Sequence, residues 1–343
     1  MQKPDPACPH PLGSLRRCHG AVKTAALLVL CWLPLREPLA ATATGSCRDP
    51  AATMLWRVDP PWPADRHLSL QVLGSIHVGK AELYPLATPV EQAIAAAETL
   101  VFEVDPTVLA APAAAERIRQ RGLLPTGQAL GDLLAPGTEQ QLQAALDLLG
   151  LPLSAITHLQ PWLVTMLLTN LQVQQLGYSS AHGVESYLLQ RKNATAAIGE
   201  LEGLEQQLAL LQSVDQDALL HYSLEGFDQA ASQLEALLAA WRCGDHALLQ
   251  ELLFEGVAPG VADGRTAAGA SDPRSTPVAA QREALLSRLF AERNRHMADG
   301  IARLLEAGDG DYLVTVGAGH LLGEQNVLQL LRERGFDVTA VRR

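Results

Sequence analysis

Asp311-Tyr-Leu-Val-Thr-Val-Gly-Ala-Gly-His320, followed by Leu321-Leu-Gly-Glu-Gln-Asn-Val-Leu-Gln-Leu-Leu-Arg-Glu-Arg-Gly335 and Phe336-Asp-Val-Thr-Ala-Val341, decides the fold. Asp311 to Val316 is rich in β-branched and aromatic residues and reads as a strand; Gly317 to His320 turns the chain. A helix then runs over Gly323 to Arg334, Gly335 closes it in the position where a left-handed residue is needed, and Phe336 to Val341 reads as a second strand. A strand, a helix and a strand in this order make a β-α-β unit, which places the chain in the α/β class. Upstream, Gln281 to Leu305 carries apolar residues at helical spacing and predicts one long helix.

Farther out, Met54 to Val58 and His67 to Leu73 are short β runs separated by Asp59-Pro-Pro-Trp-Pro63, which suits an antiparallel pair with a Pro-rich connection. Thr88-Pro-Val-Glu91 has capping-box spacing with Pro at the start of a helix that reaches Ala97. Thr99 to Val104 is almost continuously apolar, as a buried parallel strand is. Ala113 to Tyr187 is helical in pattern, and Trp162 to Leu176, apolar almost all round, predicts a buried helix. Ala194 to Leu201 reads as a further strand, Gly203 to Leu211 as a helix, and Phe227 to Trp241 as another. The expected architecture is an α/β (α+β) fold: a central mixed β-sheet flanked by helices, with a largely helical middle section.

The 343 residues are 48% hydrophobic and 18% charged, enough for a sizeable core and too apolar for a disordered chain. With 26 Lys and Arg against 37 Asp and Glu, the formal charge of -11 argues against nucleic acid as a partner. Arg16, Arg17 and Lys23 precede the apolar run Ala25 to Leu35, and Ala41-Thr-Ala43 offers small residues for cleavage. Residues 1–43 therefore read as an export signal, leaving one domain over 44–343 and a periplasmic or secreted location. The run is shorter than the ~20 residues a bilayer-spanning helix needs, so membrane attachment is expected only if the signal stays uncleaved. Of five cysteines, Cys8, Cys18 and Cys31 fall before the cleavage point. Cys47 and Cys243 remain, either as one disulfide or as two unrelated thiols. Residues 256–278, full of Gly, Ala, Pro and Ser without a period, read as a flexible loop insertion.

The chemistry is expected where two motifs agree. Gly74-Ser-Ile-His77 and Gly317-Ala-Gly-His320 each follow a β run and set a histidine beyond the strand's carboxyl end, where open α/β sheets gather ligands. The glycines allow a sharp turn, and imidazole offers a metal-binding nitrogen or a base; the plain alternative for each is a hydrogen-bonded structural histidine. Glu103, inside an apolar strand, requires a partner that offsets its desolvation. His77, Glu103 and His320 together would make a three-ligand set for zinc, manganese or cobalt with an open position. Glu202, just past its strand, reads as a further ligand or as the general base for a bound water, or simply as a carboxylate at a helix N-terminus. Arg293, with Asn294 beside it, would hold carboxylates ionised or bind an oxyanion, or be part of a solvated face. Asp105 reads more simply as a turn residue before Pro106 than as an orienter of the site. G-x-S-x-G, Walker A and C-x-x-C are all absent from the sequence.

Seven blocks in order carry a resemblance that spans most of the mature chain. They are Leu73-Gly-Ser-Ile-His-Val78, Leu83-Tyr-Pro-Leu86 leading into Val90-Glu-Gln-Ala-Ile94, Leu100-Val-Phe-Glu-Val-Asp105, His182-Gly-Val-Glu-Ser-Tyr-Leu188, Leu201-Glu-Gly-Leu-Glu-Gln206, Glu292-Arg-Asn294 and Val316-Gly-Ala-Gly-His-Leu-Leu-Gly323. On them the chain resembles the TraB/GumN family, related to Tiki metalloproteases and pheromone-shutdown proteins within a wider erythromycin-esterase-like and ChaN-like group. The resemblance implies a metal site at His77, Glu103 and His320, support from Glu202 and Arg293, and metal-dependent hydrolysis of a peptide or protein substrate. Glu185 departs from it, since the family pattern has Asp after Gly-Val or Gly-Leu. A different class of function, a peptide- or haem-sequestering envelope protein without turnover, stays open on the sequence.

Overall fold

The computed structural model describes residues 47–62, 68–255, 277–307 and 309–343. The signal over 1–43 and the loop over 256–278, apart from its last two residues, lie outside the described residues.

Six strands form one sheet: β1 (Leu55–Asp59), β2 (Leu68–Ser75), β3 (Thr99–Phe102), β4 (Ala197–Glu200), β5 (Gly310–Gly317) and β6 (Asp337–Ala340), in the spatial order β4-β3-β5-β2-β1-β6. β2, β3, β4 and β5 run parallel, while β1 is antiparallel to both β2 and β6. The mixed sheet and the antiparallel β1-β2 pair are as the sequence predicts. The terminal β-α-β unit forms too, but β6 crosses over β2 and β1 to reach the far edge rather than lying beside β5.

Residue chemistry accounts for most boundaries. Pro106, Pro112, Pro136 and Pro161 each stand first in a helix, where the missing N–H costs no hydrogen bond and φ is already helical. The helix Pro161–Gln175 buries Trp162, Val164, Met166, Leu168 and Val173, as its all-round apolar sequence predicts. Gly335, at φ 90°, ends the helix Val327–Glu333, with its N–H on Arg332 O and the Phe336 N–H on Leu331 O, the paired bonds of a Schellman stop.

Three expectations are corrected. Thr88 is the first residue of the helix Thr88–Ala96 and makes no side-chain cap; Glu91 instead accepts from the Leu86 N–H and the Tyr187 hydroxyl, so tertiary contacts take the carboxylate a capping box would use. The last helix begins at Val327 rather than Gly323, because Asn326 caps it by accepting from the Gln329 N–H. The long helix before β5 is two α segments, Pro277–Leu286 and Glu292–Ala307, joined by a π turn over Ser287–Ala291. The helix Gln216–Leu224 has no clear signature in the sequence, because its apolar residues lie nearly all round and no face stands out.

Cys47 and Cys243 form a disulfide that ties the chain before β1 to the end of the helix Ala230–Arg242. Among the described residues no helix is long and apolar enough to cross a membrane.

Candidate active site

The order of the parallel strands fixes the order of the site. Along β4-β3-β5-β2 the carboxyl ends deliver Glu202, Glu103, His320 and His77 in turn, each within three residues of its strand. Neighbouring strands lie about 4.8 Å apart, so these four residues, distant in sequence, line one edge of the sheet. β2 and β5 pair with Ser75 opposite Gly317, and so the two G-x-x-H motifs leave the sheet side by side.

The motif glycines serve packing rather than an unusual backbone. Neither Gly74 nor Gly319 has positive φ, and a Cβ would press on Leu321 and Met54 at the first and on the Phe290 ring, at 2.8 Å, at the second. Gly183 is stricter. A Cβ there would come within 2.3 Å of His77 O, and its absence lets the turn before the helix Val184–Arg191 lie against the His77 segment, with the Val184 N–H on Ile76 O.

That contact brings Glu185 to His77. Glu185 Oε1 lies 2.7 Å from His77 Nδ1 and accepts from Ser75 Oγ at 2.5 Å. Burial alone would push the Glu185 carboxyl up, but His77 and Ser75 outweigh it and hold it below its ordinary value. An ionised Glu185 accepts a hydrogen bond from the His77 Nδ1–H and so fixes a ring proton on that nitrogen.

Arg293, on the first turn of Glu292–Ala307, forms the centre of a second group. Its Nη2 donates to Glu103 Oε2 at 2.5 Å and to Glu202 Oε2 at 2.7 Å, and its Nε to Glu202 Oε1 at 2.9 Å. Nη1 lies 2.9 Å from His320 Nε2 and also points at Leu289 O. All five guanidinium N–H groups are therefore taken, which leaves none for an oxyanion. Glu103 Oε1 accepts the Gly317 N–H at 2.6 Å, and Gln207 donates to both carboxylates. His320 Nδ1 lies 2.6 Å from Asn294 Oδ1, an acceptor, so the proton sits on Nδ1 and Nε2 receives from Arg293. The π turn immediately upstream carries Phe290, whose ring lies 5.1 Å from that of His320; such turns recur at functional sites.

Burial pushes the His320 imidazole down to about 3, reinforced by the Arg293 charge and only partly opposed by Glu103. Glu103 moves the other way relative to its desolvation: burial would raise it, but Arg293, His320, His77 and the Gly317 N–H hold it at about 2. Because β2 and β5 are adjacent and parallel, the His77 group and the His320 group stand next to each other at one edge of the sheet.

A stability consequence follows. Between pH 6.5 and about 3 the unfolded chain binds a proton at His320 that the native chain does not, and below 4.5 Glu103 adds a second. Stability must therefore fall as pH falls through this window, by about 2 kcal/mol between pH 6.5 and 5 from His320 alone. Urea unfolding at pH 7 and pH 5 checks this; equal stability at the two values contradicts it.

The expected metal set of His77, Glu103 and His320 is not assembled. Among the described residues no three His, Cys, Asp or Glu side chains converge as metal ligands. The physical reason is Arg293, which takes the Glu103 and His320 lone pairs facing the cluster, while His77 turns Nδ1 to Glu185. As folded, these residues do not fit a divalent ion. Glu202 stands in the cluster, its side chain 1% exposed, held by Arg293 and Gln207. Asp105 caps the helix Pro106–Ala110 and takes no part, in line with its simpler reading. The partners to which the sequence assigned no role are Glu185, noted only as a departure from a pattern, Ser75, a variable position inside the first G-x-x-H, and Gln207, which lies in no motif.

A cleft of about 230 Å³, open to solvent, reaches the cluster, lined by Glu202, Gln207, Arg288, Glu292, Arg293 and His296 among others. A larger one of about 320 Å³, beside Leu73, Leu83 and Trp241, touches none of the five candidate residues.

A model of the TraB/PrgY/gumN family matches residues 55–340. The chain is 28% identical to the uncharacterized protein YbaP of Escherichia coli over 80% of its own length and 91% of that protein. It is 24% identical to Metalloprotease TIKI2 of Danio rerio over 86% of its length and 63% of the relative, and 24% identical to Metalloprotease TIKI2 of Xenopus tropicalis over 81% and 58%. No solved structure matches the chain significantly.

Proposed function

The chain belongs to the TraB/PrgY/gumN family, and on that premise we propose that it is an exported hydrolase of peptide bonds, acting at the carboxyl edge of β2, β3, β4 and β5. The observation that carries the reading is the His77–Glu185 pair beside a buried cluster of net negative charge. Two relatives named metalloproteases support the choice of peptide bonds.

In this reading the chain's own residues move the proton. Glu185 holds the His77 ring through Nδ1, and His77 takes a proton from the attacking water and returns it to the leaving amine. Glu103 and Glu202 carry two negative charges against the single positive charge of Arg293, so the cluster favours the imidazolium that forms. His77 retains 7% of its surface against 1% for His320, which suits His77 for contact with water and His320 for a structural place in the cluster. The metalloprotease relatives suggest a divalent manganese, cobalt or zinc ion, but the Glu103 and His320 donors are already engaged by Arg293 and the Gly317 N–H.

The test is cleavage of a quenched-fluorescent peptide library by the mature protein and by His77→Ala, with chelator and with each of the three metals. We expect turnover by the wild type and a loss of about 10²–10⁴-fold in kcat/KM for the variant. Saturable peptide binding with no product under any condition would move the protein to the sequestering class.

A further inference from the structure

Arg293 sits where a cation belongs. Glu103 Oε2, Glu202 Oε2 and His320 Nε2 all point at one guanidinium, at 2.5, 2.7 and 2.9 Å. His320 has the second-sphere arrangement of a metal-bound histidine: Nδ1 is tied to Asn294 Oδ1, and Nε2, carrying the lone pair, faces inward. Two carboxylates and one neutral imidazole form an ordinary donor set for a divalent ion, and such an ion would stand about 2.0–2.2 Å from each donor, inside the space the guanidinium now fills. With Arg293 present the cluster has a net charge of about -1; without it, two uncompensated carboxylates match a divalent cation.

We propose that Arg293 is a built-in cation that excludes divalent metal from the Glu103–Glu202–His320 cluster, so that arginine and metal are alternative occupants of one position. Arg293 thereby stabilises the two carboxylates in a metal-free protein and keeps His320 oriented through its own N–H. The inference concerns occupancy and not peptide cleavage, and it holds or fails whichever way the cleavage assay turns out.

The experiment is a titration of the full mature chain with cobalt, followed by d–d absorption, equilibrium dialysis and thermal unfolding. Wild-type protein and Glu103→Gln should give the same result: no bound equivalent at this cluster and no rise in Tm. Arg293→Ala should take up one equivalent of cobalt with a rise in Tm, and Arg293→Ala with Glu103→Gln should lose it. If Arg293→Ala does not fold alone, it is refolded with and without cobalt; recovery only with the metal supports the inference, and failure with both overturns it. One equivalent of metal on the wild type that disappears in Glu103→Gln also overturns it, as does a folded Arg293→Ala that binds none.

Discussion

Arg293→Met is expected to destabilise the protein by about 3–5 kcal/mol, the cost of leaving a buried charge without its partner. Methionine keeps much of the side-chain volume, so the loss reports charge rather than a cavity. Arg293 and Glu103 are 5% and 3% exposed, and the Glu202 side chain 1%, which leaves water little means of screening the two carboxylates once the guanidinium is gone. One of them must then take up a proton, and the variant should become more stable as pH falls, opposite in sign to the wild type. Adding Glu103→Gln to Arg293→Met should recover part of the loss, because it removes the repulsion as well as a charge. Urea unfolding of the three proteins at pH 7 and pH 5 measures this. A cost below about 1 kcal/mol for Arg293→Met would mean the cluster is solvated after all.

The second large effect is expected from the disulfide. Cys47 and Cys243 are 196 residues apart, and loop closure over that span constrains the unfolded chain by about 5 kcal/mol in the chain-entropy model, an upper figure because unfolded chains keep some structure. The bond holds the segment before β1 on the end of the helix Ala230–Arg242, where Gly244 packs against the backbone of Ala52 and Thr53 and His246 Nε2 meets Thr53 O. Cys47→Ser, Cys243→Ser and the double variant should therefore lose the same amount, and the wild type in reductant should match them. Unequal losses would assign a packing role to one cysteine; no loss would show that the crosslink contributes nothing.

What the sequence revealed depended on how local its signals are. β5, His320 and the stop at Gly335 form a contiguous run in which each residue's conformational preference agrees with its neighbours', and that unit folds as read apart from the later start of its helix at Val327. Glu103 in an apolar strand requires a partner that offsets its desolvation; that partner is Arg293, 190 residues away, which no local pattern could join to it. Histidines and a carboxylate at strand ends look the same in the sequence whether an ion or a guanidinium stands between them. Glu185 was legible only as a departure from a family pattern. Its role depends on Gly183 permitting a backbone approach of the Val184–Arg191 helix to His77, a tertiary event with no periodic trace in the sequence.

The claim at the centre of this account is that His77 and Glu185 work as one unit at the sheet's edge. Peptide cleavage by wild type, His77→Ala, Glu185→Gln and the double variant, each confirmed as folded by circular dichroism, tests it most directly. Residues acting together lose most of their effect at the first substitution, so the double variant should be about as slow as His77→Ala alone, with Glu185→Gln lowering kcat by about 10²-fold or more. A Glu185→Gln protein with wild-type kcat, or a double variant whose loss is the product of the two single losses, would contradict it.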